Sequence, residues 1–205
     1  MRKYSLYIFD LDGTLVDSSG GLKLCYGKIM DRLGFAYDPS DLDYFINESF
    51  VDTYGRFTSP PVSFEEFENT AIEEFSLFLD GRSTPYPETE HVLREINGKG
   101  TEICIATRSS HGRTKNVLAL HNLTEYIDFI VGRDDVSRQK PDPECLEKCL
   151  EKFPVPKDEA VFVGDGETDI VAAAAIGMDS VYVNRTGESI EQEPTYEIET
   201  LRGLI

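Results

Sequence analysis

Two carboxylates separated by one residue follow the first apolar run of the chain. Asp10 directly follows the run Tyr4–Phe9, and Asp12 comes two residues later, before Gly13 and Thr14. Ligands of open parallel sheets bind at the carboxyl ends of strands, and Gly13 allows a tight turn and a close approach to a ligand there. Neighbouring carboxylates repel each other, and a hard divalent cation relieves that repulsion. A helix cap would explain one aspartate but not two followed by Gly-Thr, so we interpret the pair as a reactive, cation-binding centre.

A second acidic group follows another apolar run. Asp165 directly follows the run that ends at Gly164, and Asp169 lies four residues further on, about one helical turn away. If this strand end packs beside the first one, Asp165 reaches the same cation. Alone, the motif is equally well explained as a helix cap, and it is the presence of two acidic strand ends in one chain that favours the functional interpretation.

Two further motifs contain candidates for phosphate binding. Thr107 and Arg108, followed by two serines, lie at the end of another apolar run, where hydroxyl and backbone N–H groups near a helix N-terminus can hold a phosphate oxygen. Lys140 precedes Pro141, and Pro143 comes two residues later, so the backbone is fixed where the lysine would aim its ammonium group. Each motif alone is a weak signal, because serine and threonine commonly cap helices and a lysine lies by default on the surface.

The elements that must position these motifs alternate between strands and helices. Nearly continuous apolar strands are typical of a sheet buried on both faces, which is usually parallel. The pattern therefore predicts an α/β fold with a doubly wound parallel sheet. The predicted strands cover 4–9, 102–106, 127–131, 160–163 and 180–183, and the predicted helices cover 88–97, 111–121, 143–152 and 167–176.

One long interval without strand signals follows the first acidic motif. It predicts helices near 20–33, 40–57 and 64–79, the last with an apolar face of the kind that usually packs in a core. We therefore predict a helical cap over residues 18–84 and an α/β catalytic core formed by residues 1–17 and 85–205. The tail after Asn184 is acidic and irregular, and we expect it on the surface.

The composition limits the classes of partner. The formal net charge is -18, with 38 Asp and Glu against 20 Lys and Arg, which disfavours binding to nucleic acid and to anionic membranes. A phosphorylated substrate must then be attracted by a few basic residues or by a bound cation. No apolar stretch is long enough for a membrane-spanning helix, and the N-terminal apolar run is interrupted too early for a signal peptide. The four cysteines fit a reducing compartment, so we expect a cytoplasmic protein, and no protein partner is inferred.

Taken together and in this order, the four motifs resemble those of the haloacid dehalogenase superfamily of hydrolases. The resemblance spans about residues 4–183. The segment from Asp10 to Ser18 is similar to the first and most specific motif, Thr107 to the second, Lys140-Pro141 to the third, and residues 164–169 to the fourth. The helical insert resembles the cap of the phosphoglycolate phosphatase-like branch. One departure is Arg108, because in that branch an asparagine commonly follows the threonine or serine of the second motif.

The resemblance implies a magnesium-dependent phosphatase that acts on a small phosphorylated metabolite through an aspartyl-phosphate intermediate. It implies that Asp10 is the nucleophile and that Asp12 is the general acid and base. Mg²⁺ would be bound by Asp10, the main-chain carbonyl of Asp12 and Asp165, with Asp169 acting through a metal-bound water. Lys140 and Thr107 would bind the phosphate. Arg108 is a further candidate for that phosphate or for a substrate carboxylate.

Other functions remain open at this level. A sugar phosphomutase of the same superfamily keeps both first-motif aspartates and differs in whether water or a sugar hydroxyl attacks the acyl phosphate. A non-catalytic module that binds a phosphorylated ligand would retain the fold, although loss of Asp10, Asp12, Lys140 or Asp165 would be expected there. A carbon–halogen hydrolase lacks the second aspartate, and a phosphonate-cleaving enzyme needs a cap lysine, for which only Lys23 and Lys28 are available.

Overall fold

The computed structural model describes residues 1–46, 48–78, 80–98 and 100–205, with the side chains of residues 76–78 and 80 excluded. The chain forms two compact units, one of residues Met1–Asp17 with Thr84–Ile205 and one of residues Ser18–Ser83. The described strands are β1 (Leu6–Phe9), β2 (Val16–Asp17), β3 (Thr84–Pro85), β4 (Glu102–Ala106), β5 (Phe129–Val131), β6 (Ala160–Gly164), β7 (Asp179–Val183) and β8 (Tyr196–Ile198). The described α-helices are α1 (Ser19–Leu33), α2 (Leu42–Phe45), α3 (Phe50–Gly55), α4 (Phe64–Phe78), α5 (Thr89–Asn97), α6 (His111–Leu120), α7 (Glu144–Lys152) and α8 (Glu167–Ala175).

A six-stranded parallel sheet forms the centre of the larger unit. The strand order is β5-β4-β1-β6-β7-β8, so β1 lies between β4 and β6. The order runs outward in opposite directions from the β1–β6 pair, and this reversal is where doubly wound sheets bind their ligands. The predicted α/β fold with a doubly wound parallel sheet is therefore confirmed.

Both faces of this sheet are covered by helices. Because side chains alternate along a strand, Tyr7 and Phe9 of β1 join an apolar cluster with α5 and α6, whereas Leu6 and Ile8 join a second cluster with α7 and α8. All of β1 is at most 5% exposed. Burial on both sides explains why the strands read as unbroken apolar runs, and it leaves the carboxyl-terminal edge of the sheet for polar side chains.

The tail is the main departure from the expected core. Residues 196–198 form β8, which pairs in parallel with β7, and a 3-10 helix at Leu201–Leu204 places Leu201 and Leu204 in the core. The expectation of an irregular surface tail was wrong for these residues. The strand has only three residues next to many acidic ones, so the pairing with β7, and not a local apolar pattern, defines it.

The unit of residues Ser18–Ser83 is helical and has an aromatic core. The predicted helix over residues 40–57 is divided into a 3-10 helix, α2 and α3. The Ser49 side chain caps α3 by accepting a hydrogen bond from the Asp52 N–H, which explains why a new helix begins there. The predicted helix over residues 64–79 corresponds to α4, with Leu79 outside the described residues.

The boundary of the two units lies one residue before the predicted return at residue 85. Thr84 pairs with Asp17 in the small antiparallel β2–β3 ladder and so belongs to the larger unit. Among the described helices, none is long and apolar enough to cross a membrane.

Candidate active site

Four charged side chains meet at the carboxyl-terminal edge of the sheet. Asp10 follows β1, and its N–H donates to the Val163 carbonyl of β6. The carboxylates of Asp10, Asp165 and Asp169 contribute oxygens that lie within 4.8 Å of one another. Adjacent parallel strands end at the same edge, and this places motifs about 155 residues apart at one point.

Lys140 joins two of these carboxylates. Its Nζ lies 2.8 Å from Asp10 Oδ1 and 2.6 Å from Asp169 Oδ1, and it donates a hydrogen bond of 3.1 Å to the Ala106 carbonyl at the end of β4. The lysine side chain is only 3% exposed, and the Lys140–Pro141 peptide bond is cis. The buried ammonium thus has two hydrogen-bond acceptors, Asp10 and the Ala106 carbonyl, and a second ion-pair partner in Asp169.

Gly13 lets the first motif approach the fourth. Its φ is +84°, and a Cβ at this position would overlap the Asp165 carboxylate. The neighbouring Thr14 hydroxyl donates a 2.7 Å hydrogen bond to Asp165 Oδ1. A side chain at position 13 would therefore both strain the backbone and displace Asp165.

The site has more negative charge than its one lysine balances. Burial, together with the charges of Asp10 and Asp169, raises the pKa of Asp165 to about 8. Burial also raises the pKa of Asp10 to about 6, although Lys140 acts in the opposite direction. Burial alone would lower the pKa of Lys140, but the charges of Asp10 and Asp169 outweigh it and raise that pKa. Buried carboxylate oxygens with a deficit of positive charge are a donor set that suits a hard divalent cation.

Asp12 faces a different cation. Both of its carboxylate oxygens accept from the Arg113 guanidinium, at 2.7 and 2.8 Å, and Oδ2 also accepts a 2.7 Å hydrogen bond from the Ser109 hydroxyl. Arg113 lies in the first turn of α6, one of the helices that follow the motif strands, where Ser110 caps the helix. The two aspartates of the first motif thus have separate basic partners, Lys140 for Asp10 and Arg113 for Asp12.

The second motif contains two candidates for phosphate binding, of which one is buried and the other partly exposed. Thr107 is 5% exposed and follows Ala106, the residue that accepts from Lys140, and its hydroxyl accepts from the Ser109 N–H at 3.1 Å. Arg108 is half-buried, and its guanidinium has no ion-pair partner within the described part of the chain. Thr107 thus directly follows the residue that Lys140 contacts, whereas Arg108 forms no ion pair with a carboxylate of the site.

Two arginines at the site were not identified from the sequence. The position of Arg113 could have been noticed in the sequence, because a positive charge in the first turn of a helix is unfavourable next to the helix dipole unless an anion lies nearby. Arg185 follows β7 and had no such signal. It donates to the carbonyls of Gly13 and Thr14, pairs with Glu88 at 2.9 Å, and stacks on the Tyr86 ring at 3.5 Å. Arg185 therefore holds the loop that carries the first motif.

Comparisons with known proteins show the family of the chain. The family model described as haloacid dehalogenase-like hydrolase matches residues 7–183. A phosphoglycolate phosphatase of Aquifex aeolicus is 30% identical over 175 residues, which cover 83% of this chain and 80% of that protein. The pyrophosphatase PpaX of Bacillus cereus is 30% identical over 188 residues, which cover 87% of this chain and 82% of that protein.

Solved structures share the whole fold. A structure from Bacteroides fragilis described as a haloacid dehalogenase-like hydrolase superposes with a TM-score of 0.89 at 26% identity, covering 99% of this chain and 100% of that one. A haloacid dehalogenase-like family protein from Streptococcus pneumoniae superposes with a TM-score of 0.86 at 19% identity, covering 98% and 96%, and this likeness concerns the fold alone. With its motifs, its sheet topology and the family match over most of its length, the chain belongs to the haloacid dehalogenase-like hydrolases and is an enzyme of that family.

Proposed function

We propose that the protein is a magnesium-dependent phosphatase that hydrolyses a small phosphate monoester through an aspartyl-phosphate intermediate. The observation that carries the proposal is the position of Asp10, a buried carboxylate between Lys140 and the Asp165–Asp169 pair at the switch point of the sheet. The family match and the names of the relatives, phosphoglycolate phosphatase and pyrophosphatase, support the same reaction type.

Asp10 is the proposed nucleophile. A carboxylate oxygen attacks phosphorus, the bond from phosphorus to the ester oxygen breaks, and an acyl phosphate forms on Asp10. Lys140 already donates to Asp10, so the same ammonium is placed to donate to an oxygen of the transferred phosphoryl group. Thr107 offers a hydroxyl for another phosphoryl oxygen, and Arg108 is a further candidate for the substrate's charge.

Asp12 is the proposed general acid and base. It gives a proton to the leaving alkoxide in the first half-reaction. In the second half-reaction it takes a proton from the water that attacks phosphorus, and phosphate leaves Asp10 with its carboxylate restored. The two aspartates lie in separate environments in the structure, since Asp10 contacts Lys140 and Asp12 contacts Arg113.

The donor set fits Mg²⁺. Its oxygens come from buried carboxylates that lie close together, and burial, with a further contribution from the neighbouring carboxylates, raises the pKa values of Asp10 and Asp165. Asp10, Asp165 and the main-chain carbonyl of Asp12 would hold the ion, and Asp169 would support them while it pairs with Lys140. When bound, Mg²⁺ offsets the negative charge of the phosphoryl group.

The substrate belongs to the small phosphorylated metabolites in this proposal. The net charge of -18 provides no general attraction for a polyanion, so the substrate's charge must be met by the site itself. A cytoplasmic location is part of the proposal and is supported by the four cysteines, which are buried and form no disulfide with one another.

The test is a measurement of phosphate release together with trapping of the intermediate. The purified protein should release inorganic phosphate from p-nitrophenyl phosphate in Mg²⁺ and stop after treatment with EDTA. During turnover, borohydride should reduce the acyl phosphate and leave homoserine at position 10, which peptide mass spectrometry detects. Turnover without homoserine at this position, or turnover in rigorously chelated buffer, would reject the proposed mechanism.

A further inference from the structure

Arg185 is a largely buried cation whose carboxylate partner is Glu88. Its side chain is 16% exposed, and each of its three guanidinium nitrogens has an acceptor. Nη1 lies 2.9 Å from Glu88 Oε1, Nε donates to the Gly13 carbonyl at 3.3 Å, and Nη2 donates to the Thr14 carbonyl at 3.0 Å. The guanidinium also stacks on the Tyr86 ring. Because every nitrogen is engaged, the guanidinium is fixed at one point.

The two carbonyls that Arg185 binds belong to the tight turn of the first motif. Asp12, whose main-chain carbonyl is a proposed ligand of Mg²⁺, directly precedes Gly13 in this turn. The Thr14 hydroxyl donates to Asp165 Oδ1 at 2.7 Å, and Thr14 is fully buried. A Cβ on Gly13 would overlap the Asp165 carboxylate, so no spare room separates the turn from that carboxylate. A shift of the turn therefore moves two of the proposed oxygen ligands relative to each other.

The Arg185–Glu88 pair is itself anchored to the main chain of the sheet and of the C-terminal segment. The N–H of Asn184, the residue before Arg185, donates to the Ile198 carbonyl of β8 at 2.8 Å. The Glu88 side chain is 7% exposed, and its Oε1 also accepts from the Leu201 N–H at 3.4 Å. The first-motif turn is thus held from a part of the fold that lies far away in sequence.

We propose that Arg185, held by Glu88, is a positioning residue that sets the affinity of the site for Mg²⁺. The proposal rests on the proposed function, in which Asp165 and the Asp12 carbonyl hold the ion. Arg185 acts through the turn and touches neither the ion nor the substrate. Mg²⁺ is small and requires nearly ideal octahedral geometry, so its affinity depends on how closely the spacing of the protein oxygens is fixed before it binds. Groups that orient metal ligands commonly account for about 10–100-fold in metal affinity.

The test separates the requirement for Mg²⁺ from the requirement for substrate. In Arg185→Ala, the Mg²⁺ concentration for half-maximal hydrolysis of p-nitrophenyl phosphate should rise by about tenfold or more. The KM for that ester at saturating Mg²⁺ should stay within about threefold of the wild-type value, because Arg185 does not contact the substrate. A lower kcat or a lower stability with an unchanged Mg²⁺ requirement would show a merely structural arginine and overturn the proposal.

A second readout needs no turnover. In protein treated with EDTA, dialysed and then titrated with Mg²⁺, the ion should raise the melting temperature of the wild type. Arg185→Ala should need about tenfold more Mg²⁺ or greater for the same rise above its own metal-free melting temperature. Equal increments at equal Mg²⁺ concentrations in the two proteins would overturn the proposal.

An exposed arginine–glutamate pair provides the matched control. Arg94 is 55% exposed and lies 3.3 Å from Glu90 on α5, so Arg94→Ala should keep the wild-type Mg²⁺ requirement. Arg185→Lys keeps the positive charge beside Glu88 but not the three-nitrogen fork, and its Mg²⁺ requirement should be raised by about threefold or more. If Arg185→Ala does not fold, Arg185→Lys decides, since a wild-type Mg²⁺ requirement in that variant would overturn the proposal.

Thr14→Val tests the route from the arginine to the ion. It removes the hydroxyl that donates to Asp165 and keeps the shape of the side chain, so it should also raise the Mg²⁺ requirement. The combination of Thr14→Val with Arg185→Ala should raise it by less than the product of the two single effects, because both act on the same turn. Independent effects that multiply in full would overturn the proposed route.

Failure of this inference is distinguishable from failure of the proposed function. If Mg²⁺ activates the wild type and Arg185→Ala keeps the same Mg²⁺ requirement, the phosphatase function stands and only the role of Arg185 is lost. If the wild type hydrolyses p-nitrophenyl phosphate without Mg²⁺, or does not hydrolyse it, both fail.

Discussion

The two units of the molecule use charge in opposite ways. In the unit of residues 18–83, aromatic rings fill the core, and ion pairs such as Arg32–Glu73 and Lys23–Asp43 are substantially exposed. In the α/β unit, the ion pairs of Lys140 and Arg113 with the first motif are largely buried, at one edge of a sheet whose central strand β1 is buried throughout. Burying ions costs stability, and exposed pairs contribute little. The comparison teaches that the buried ion pairs of the first motif gather at one edge of the sheet, whereas the ion pairs Arg32–Glu73 and Lys23–Asp43 of the helical unit lie in contact with water.

The largest expected effect is the loss of activity in Asp10→Asn. The amide cannot attack phosphorus, so kcat for p-nitrophenyl phosphate should fall by about 10⁴-fold or more. Because burial disfavours the charged form of Asp10, the melting temperature should stay equal or rise. Asp158→Asn is the matched control, since that side chain is 77% exposed, and it should keep wild-type activity and stability. More than a few per cent of wild-type activity in Asp10→Asn would show that another residue is the nucleophile.

A core substitution in the helical unit should lower stability, in contrast to Asp10→Asn, which should lower activity and leave stability intact. Phe67 is fully buried and contacts the rings of Phe35 and Tyr54, each at a centroid distance of 5.6 Å. Phe67→Ala should lower the free energy of unfolding of this unit by about 3–5 kcal/mol, because a large cavity remains. Chemical denaturation measures the loss, and limited proteolysis should show new cleavage within residues 18–83.

An exposed aromatic residue of the same unit provides the control for that substitution. Tyr44 is 57% exposed, so Tyr44→Ala should change stability by less than about 1 kcal/mol. Similar losses in the two variants would contradict the assignment of the aromatic cluster as the core of this unit.

The pH dependence of stability tests the charge of the site without an assay of activity. Burial and the neighbouring carboxylates raise the pKa of Asp165 from its ordinary 3.8 to about 8, so the folded chain binds more protons than the unfolded chain between these values. Stability without divalent cations should therefore fall as pH rises from about 4 to about 8. At pH 8, Asp165→Asn should raise the melting temperature by about 4 °C or more, and Mg²⁺ should stabilise the wild type more than the variant.

The exposed Asp158→Asn variant again serves as the reference, because it removes one negative charge from the surface and should melt as the wild type does. If Asp165→Asn and the wild type show the same melting curves at pH 5 and pH 8, the carboxylates of the site do not repel one another as described.

The smallest expected effect belongs to Arg108. Its side chain is half-buried and has no ion-pair partner among the described residues, so it remains free to meet a substrate charge in a partly hydrated setting. Such contacts are weak, and Arg108→Ala should lower kcat/KM for the preferred ester by about fivefold or less. A loss of more than about tenfold would show instead that Arg108 makes a charge-assisted contact with the substrate.

Much of the fold was predictable because strands buried on both faces must be apolar throughout. The runs that end at Phe9, Ala106 and Val163 could be read directly, and each is followed by a polar motif. β8 was missed because its three residues alternate in burial and lie in an acidic tail, so it is a strand only through its pairing with β7. The break between α2 and α3 depends on one serine cap that periodicity does not detect.

The candidate site was predictable to the same extent. Each motif is a short stretch of sequence and can be recognised without the fold. Four of the motif residues lie together in the structure: Asp10, Lys140, Asp165 and Asp169. Arg113 and Arg185 were not predicted because neither lies in a motif. Each contacts the first motif from a position about 100 residues or more away in the sequence. The contacts of both arginines depend on the tertiary fold, and their neighbours in sequence do not indicate them.

The sequence by itself determined where the strands before Asp10, Thr107 and Asp165 end and which chemical group stands there, because burial periodicity and turn residues act over a few positions. Only the tertiary structure decided which cation meets which carboxylate. Lys140 pairs with Asp10 across 130 residues and Arg113 pairs with Asp12 across 101 residues. These pairings depend on the order of strands in the sheet and on the direction from which α6 approaches it, and long-range packing sets both.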